Sequence, residues 1–371
     1  MKSILKLFFI SLLACILVGF PQNADARDPI MPQDVDWPLR DVAMDSDGNL
    51  YIIARHWANN RPYLKTFDSK GEERPKFKLV LPNFCCEPFP LKFTMSEDGF
   101  LYILLPGKEG LVSGAELLLV RIDSSGEQDE DFGDQGVLKF PPGFSLRDFD
   151  VSPEGVIWVL NRQFELFKFD DTGWLIKIRE LSNIFPEKIM GGYFENFQAD
   201  NLFAMNGNRL LLTGEIRVSG NELYNDRFFS VMELSEDGVM VNHLELSEPW
   251  FQKNSEPGSF FTPLQGKSFI REDGVYGSIL GFKEGIKGEP DLRALMLLDW
   301  SLDEKFGFYN LQPLELPKEV FLGYDLNKVF FVRDKKTIKL FYPFPDRHDL
   351  LVVDYDDKGK IKDKFTLKAF Q

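Results

Sequence analysis

One phrase recurs, in altered form, along the whole chain: a short apolar strand, an acidic residue and glycine in a tight turn, and a second apolar strand. It reads Asp41-Val-Ala-Met-Asp-Ser-Asp-Gly-Asn-Leu-Tyr-Ile-Ile53 in the first copy and Lys92-Phe-Thr-Met-Ser-Glu-Asp-Gly-Phe-Leu-Tyr-Ile-Leu104 in the second. Asp148-Phe-Asp-Val-Ser-Pro-Glu-Gly-Val-Ile-Trp-Val-Leu160 is the third. A unit this small cannot bury its apolar face alone, so successive copies must stack on one another.

Six copies can be followed, over about residues 36–81, 91–140, 146–181, 200–247, 267–316 and 327–370. Each supplies an inner strand, a turn, a second strand, a variable loop, and a third and fourth strand. The third strands include Tyr63-Leu-Lys-Thr-Phe-Asp68, Leu117-Leu-Leu-Val-Arg-Ile-Asp123 and Glu165-Leu-Phe-Lys-Phe-Asp170. Turns such as Ser69-Lys-Gly71, Asp171-Thr-Gly173 and Asp357-Lys-Gly359 follow three of the third strands. Apolar and polar residues alternate, which is a hairpin signal, and no segment sustains a helical period. Copies four to six are weaker, with inner strands expected at Leu202-Phe-Ala-Met205, Ser268–Gly274 and Val329–Asp334. Four strands per copy at a spacing of about 35 to 65 residues predict an all-β chain, a six-bladed β-propeller with four-stranded antiparallel blades around a central channel. The 36 phenylalanines among 371 residues suit sheets packed face to face.

The first 26 residues read as a signal peptide. Lys2 and Lys6 precede an apolar run from Leu7 to Phe20, and Ala24-Asp-Ala26 offers a small-residue cleavage site. Residues 27–371 then form a single propeller domain, exported to the periplasm or secreted. Leu12-Leu-Ala-Cys15 could instead be a lipobox leaving a lipidated Cys15, but Ile16, Leu17 and Val18 continue the apolar run. The run is shorter than the ~20 residues that span a bilayer, and no later segment is apolar enough to do so. The net charge of −15 opposes binding to nucleic acid and to anionic lipid.

The phrase Asp-x-x-x-Asp-x-Asp-Gly-x-x-Tyr in copy one, with its echoes, resembles the six-bladed β-propellers of the NHL-repeat type. It is also similar to their relatives among the SMP-30, gluconolactonase-like proteins. The resemblance covers roughly residues 36–370 and speaks for architecture; folds of this type host lyases, lactonases and binding scaffolds alike. It implies that the blade-to-blade connections and the second-to-third-strand loops share one face, at the mouth of the channel. The connections expected here are residues 80–90, 141–145, 182–199, 247–266 and 317–327. Two are long and aromatic, carrying Phe185, Tyr193, Phe194, Phe197, Trp250, Phe251, Phe260 and Phe261. Such side chains either pack as a lid or form a binding surface.

The candidate ligand-binding residues at this mouth are His56, Trp57, Cys85, Cys86, Tyr193, Phe194, Trp250, Phe251 and His348. Cys85 and Cys86 are adjacent, and three states stay open: two thiols, a vicinal disulfide, or bonding to another chain or a metal. Ring closure would make the first and last blades neighbours and bring His56 toward His348, a pairing fit for a general base or a metal ligand. A lactonase or lyase of the SMP-30 kind is expected to hold a divalent cation through oxygen ligands in the channel. Asp41, Asp148, Asn201 and Asp325 are the candidates by position. Calcium or another divalent ion is thus the one cofactor to consider, although the glutamate expected on the first inner strand is missing. The chain has no Gly-x-Ser-x-Gly elbow, phosphate loop, His-Glu-x-x-His or Cys-x-x-Cys. The expected function is therefore non-catalytic binding of a protein or small-molecule partner at the channel mouth. The alternative is a metal-dependent hydrolase or lyase acting on lactones or sugar-derived molecules.

Overall fold

A computed structural model describes residues 39–45, 47–55, 62–74, 91–96, 98–107, 116–181, 184–185, 188–189, 192–219, 227–246, 260–263, 265–268, 275–284, 291–301, 309–315, 317–319, 329–333, 338–344, 349–356 and 359–368. The protein is an all-β propeller whose blades are antiparallel sheets. Among the described residues the strands form six sheets. The first holds β1 (Leu39–Met44), β2 (Leu50–Arg55) and β3 (Pro62–Phe67). The second runs β4 (Lys92–Met95), β5 (Leu101–Pro106), β6 (Leu117–Ile122) and β7 (Val137–Phe140). The third runs β8 (Leu146–Val151), β9 (Ile157–Asn161), β10 (Glu165–Phe169) and β11 (Leu175–Glu180). The fourth holds β12 (Lys188–Ile189), β13 (Gly192–Ala204), β14 (Leu210–Ser219), β15 (Arg227–Leu234) and β16 (Met240–Leu246). Next come β17 (Phe260–Pro263), β18 (Gln265–Ser268), β19 (Val275–Glu284), β20 (Asp291–Ser301) and β21 (Tyr309–Pro313). The last are β22 (Phe330–Arg333), β23 (Ile338–Phe344), β24 (Asp349–Tyr355) and β25 (Ile361–Leu367).

The recurring phrase is a hairpin turn in which an aspartate or serine caps its own loop. In the first copy Asp45 Oδ1 accepts from the amides of Asp47 (3.0 Å) and Asn49 (2.8 Å), and Gly48 takes φ +81°. The same geometry closes the third-to-fourth-strand turns. Asp123 accepts the Ser125 hydroxyl at 2.6 Å and the Glu127 amide at 3.0 Å, and Asp170 accepts the Thr172 hydroxyl at 2.7 Å and the Trp174 amide at 2.8 Å. The Ser125 hydroxyl and then, against the cost of desolvation, the backbone amides of this loop hold the Asp123 carboxyl below the usual carboxylate range. Aspartate here stabilises the turn through its own backbone, and glycine supplies the left-handed residue that a branched side chain resists.

Apolar residues from neighbouring sheets interdigitate to form the core. Ala43, Tyr51 and Ile53 of sheet one meet Phe93, Leu101 and Ile103 of sheet two. Tyr102, Leu104 and Phe140 of sheet two meet Phe149, Val159 and Phe169 of sheet three. Trp158 and Leu160 meet Leu202, Leu212 and Met232 of sheet four. Leu39, Val42 and Ile52 pack on Phe330, Val332 and Val352, so the first and last sheets of the chain are in contact. At three of the boundaries the third-to-fourth-strand turn of one sheet docks on the outer part of the sheet before it. A Cβ on Gly173 would meet Phe132 at 3.2 Å, one on Gly238 would meet Arg179 at 2.8 Å, and one on Gly71 would meet Phe365 at 2.8 Å and Leu367 at 2.9 Å. The contact between sheets one and six is therefore built like those between sheets two and three or three and four, as ring closure requires.

Charged groups add links at the rim. Arg121 lies 4.8 Å over the Phe100 ring and 5.0 Å over Phe132, pairs with Asp129 at 2.6 Å, and donates to the Asp171 carbonyl of sheet three. Lys168 sits 5.2 Å over Trp158 and pairs with Glu236 of sheet four at 2.6 Å.

Several expectations are refined or changed. In sheet one, an isolated bridge between Phe67 and Glu73 follows the turn at Gly71, and the rest of the expected fourth strand lies outside the described residues. In sheet four, residues 192–199 are strand and not connection: β13 runs 13 residues because β14 is long enough to pair with it from Tyr193 to Ala204. Phe260 and Phe261, expected in the connection before sheet five, lie on β17, which pairs with β19. Ser268, expected on the inner strand of sheet five, ends β18, and β18 pairs in parallel with β22 of sheet six. β18 also lies against β1 and β13, so it runs inside the ring of inner strands.

Candidate functional site

Among the described residues the inner strands β1, β4 and β8 are sheet edges, and their inward N–H groups have no strand to bond. A buried N–H without a partner costs about 1–3 kcal/mol. The first residue of the recurring phrase meets this need. Asp41, 5% exposed, accepts the Val42 amide at 2.9 Å through Oδ1 and, through Oδ2, the Phe93 amide of the next blade at 2.9 Å. Asp148, 1% exposed, repeats the pattern two blades further round: Oδ1 accepts Phe149 N at 2.7 Å and Oδ2 accepts Leu202 N of sheet four at 2.7 Å. Asp150 accepts the Thr94 hydroxyl at 2.6 Å from behind and the Ala204 amide at 3.0 Å ahead.

Copy two has lysine at this position. Lys92 pairs with Asp148, so the cation and carboxylate of successive copies meet across the blade boundary. In copy four the position is Asn201, buried, whose Nδ2 donates to Thr213 Oγ1 at 3.3 Å within its own sheet. Bulges fall at the same place in three blades, between Leu39 and Asp41, Leu146 and Asp148, and Ala199 and Asn201. A bulge turns the strand locally, which here aims the side chain along the ring instead of across the sheet.

Of the four residues expected as metal ligands, Asp41, Asp148 and Asn201 thus stand at equivalent ring positions, each committed to hydrogen bonds. Among the described residues no group of three or more His, Cys, Asp or Glu side chains is placed to hold an ion. Asp325 lies outside the described residues, as do His56, Trp57, Cys85, Cys86, Trp250, Phe251 and His348.

Tyr193 and Phe194 are at the start of β13, at the end of the blade where β14 finishes. β13 and β14 continue well past the six-residue strands of sheet one, and β19 and β20, of 10 and 11 residues, do the same in sheet five. Phe194 is half-buried and stacks on Phe185, ring centroids 4.4 Å apart, above the core of sheets three and four. Phe185 also touches Phe197, which is buried. Tyr193 is 51% exposed. This end of sheet four is therefore a raised hairpin with an aromatic base and an accessible tyrosine.

Inner-strand residues were recognised in sequence as ring positions, but their partners were not, since a carboxylate and the amide it bonds are 52 residues apart for Asp41 and Phe93. A second group was read only as the fourth strand of copy three and not as a candidate surface. Trp174, Leu175, Ile176 and Ile178 of the outer strand of sheet three are 75%, 41%, 55% and 45% exposed. The signal was present in the run Trp-Leu-Ile-Lys-Ile, too apolar for a strand on the outer rim.

No protein-family model matches the chain, and no curated protein does. Among solved structures, one described as the structure of Dos1 propeller aligns with 90% of this chain and 72% of its own, at 10% identity and a TM-score of 0.39.

Proposed function

We propose that this is an exported, six-bladed propeller of the NHL type that binds a protein or small-molecule partner at its channel-mouth face and performs no catalysis. Support comes from the extended end of sheet four, where Tyr193 is exposed next to Phe194, whose ring packs on Phe185. Rigid aromatic side chains on a supported base make large contact area at low entropic cost. The inner-strand carboxylates, which a hydrolase would direct at a cation, instead bond the backbone of adjacent blades. The remaining mouth residues of this proposal are His56, Trp57, Cys85, Cys86, Trp250, Phe251 and His348.

The test compares partners recovered from the export compartment with the native chain and with Tyr193→Ala. An aromatic anchor is worth about 2 kcal/mol, or roughly 30-fold in affinity. Loss of a specific partner at unchanged melting temperature is the expected result. An identical set of partners at identical affinity overturns the assignment of the face.

A further inference from the structure

Outer strands of propeller blades are open sheet edges, and proteins guard them with charge, brevity or bulges. β25 carries Lys362, Asp363 and Lys364, all exposed, and β7 has only four residues. β11 carries charge as well, at Lys177, Arg179 and Glu180, but Lys177 is paired with Asp237 and Arg179 lies against the turn at Gly238 of sheet four. Four of its neighbouring side chains, Trp174, Leu175, Ile176 and Ile178, stand 41% or more in solvent, and Val239 and Val241 of sheet four are 50% and 54% exposed. Among the described residues β11 bonds only β10 within the third sheet, and no further strand lies along its edge from Leu175 to Arg179. The turn before Val239 docks on Arg179, and Lys177 pairs with Asp237, so the strand is held firmly by sheet four while its edge stays open.

We propose that β11 seats a second copy of this chain, the two strands pairing antiparallel across a two-fold axis at Ile176. The sequence is self-complementary in that register. Ile176 meets its own counterpart, Trp174 meets Ile178, and the two copies form one continuous apolar strip. On the other face Leu175 meets Lys177, and no like charges stand directly opposite. Moving the axis to Lys177 would set two ammonium groups against each other, which disfavours that register. With the axis at Ile176, Arg179 comes beside the turn that carries the exposed Asp171 of the other copy, an opposite-charge contact at each end of the pair. An isologous contact of this kind closes on itself and stops at a dimer.

Sedimentation of the full chain over a range of concentrations tests the proposal. A monomer–dimer equilibrium is expected, and added salt should strengthen it, because screening weakens the repulsion between two chains of net charge −15. Ile176→Lys should abolish the dimer without altering the melting temperature, since the side chain is exposed. Ile176→Cys should oxidise to a disulfide-linked dimer, as residues directly opposite lie about 4.5–5.5 Å apart at Cα, within disulfide reach. Ile178→Cys, facing Trp174, should not, with the native chain as the control for its own cysteines. A chain that stays monomeric to about 100 μM, where a weak contact of this kind should be populated, overturns the proposal. So does a dimer that survives Ile176→Lys, or equal cross-linking through positions 176 and 178.

Discussion

Replacing Asp148 by alanine separates a structural carboxylate from a ligand-binding one. The side chain is 1% exposed and has three partners: the Lys92 ammonium, the Phe149 amide at 2.7 Å and the Leu202 amide at 2.7 Å. Leu202 is fully buried, so its N–H loses its acceptor with no water to replace it, which costs about 1–3 kcal/mol. Lys92 also loses its counter-charge; its side chain is 24% exposed and recovers part of its hydration, so the penalty falls toward the lower end of the 3–5 kcal/mol seen when one partner of a buried pair is removed. Together a loss of about 4–6 kcal/mol is expected, a large part of a domain stability of about 5–15 kcal/mol. Urea unfolding followed by tryptophan fluorescence reads it as a lower midpoint at constant slope. Lys92→Met should recover part of the loss in the Asp148→Ala background, because the uncompensated cation is then gone. An Asp148→Ala protein that unfolds within about 0.5 kcal/mol of the native chain, the range of surface substitutions, would refute the account of the carboxylate as a link between blades.

Other outcomes follow from the same geometry. Gly71 and Gly99 both have φ near +90°, but a Cβ at 71 strikes Phe365 and Leu367 of sheet six whereas one at 99 meets open space. Gly99→Ala should cost about 1 kcal/mol from backbone strain, and Gly71→Ala about 1–3 kcal/mol more by disturbing the contact between the first and last sheets, measured as midpoint shifts in urea. Burial, with the nearby Glu315 charge and against the Tyr342 hydroxyl, pushes the Tyr355 phenol up to about 12. Because the folded value is raised above the ordinary 10, the stabilising contribution is complete below pH 10 and is lost as pH climbs toward 12. Tyr355→Phe should therefore flatten the fall in stability over that window. Elemental mass spectrometry of protein purified without chelator should find no tightly held divalent ion; about one per chain would overturn the non-catalytic reading and send attention to lactones and sugar acids.

Hairpins and their turns could be read directly from the chain, because the interactions that define them are local. Asp45 bonds the amides of Asp47 and Asn49, within four residues, and alternation along β10 marks which side chains face the core. The same reasoning located the inner strands of the first three blades and the ring positions of Asp41 and Asp148. It failed where the outcome depends on a partner strand. Nothing local in residues 192–199 distinguishes an aromatic loop from a strand; β14 decides it by offering a pairing edge to Tyr193 and its neighbours. Ser268 likewise looks like the start of an inner strand of sheet five, and it ends a strand that pairs instead with β22.

The role of the inner-strand carboxylates was undecided for the same reason. Repetition of one phrase determined that copies would stack and that equivalent residues would recur around a ring. Only the stacking decided that Asp41 meets the Phe93 amide and that Asp148 meets both Lys92 and Leu202. A side chain's own turn is specified by covalent proximity, whereas its reach into the next blade depends on the twist, the bulge and the closure of the whole ring.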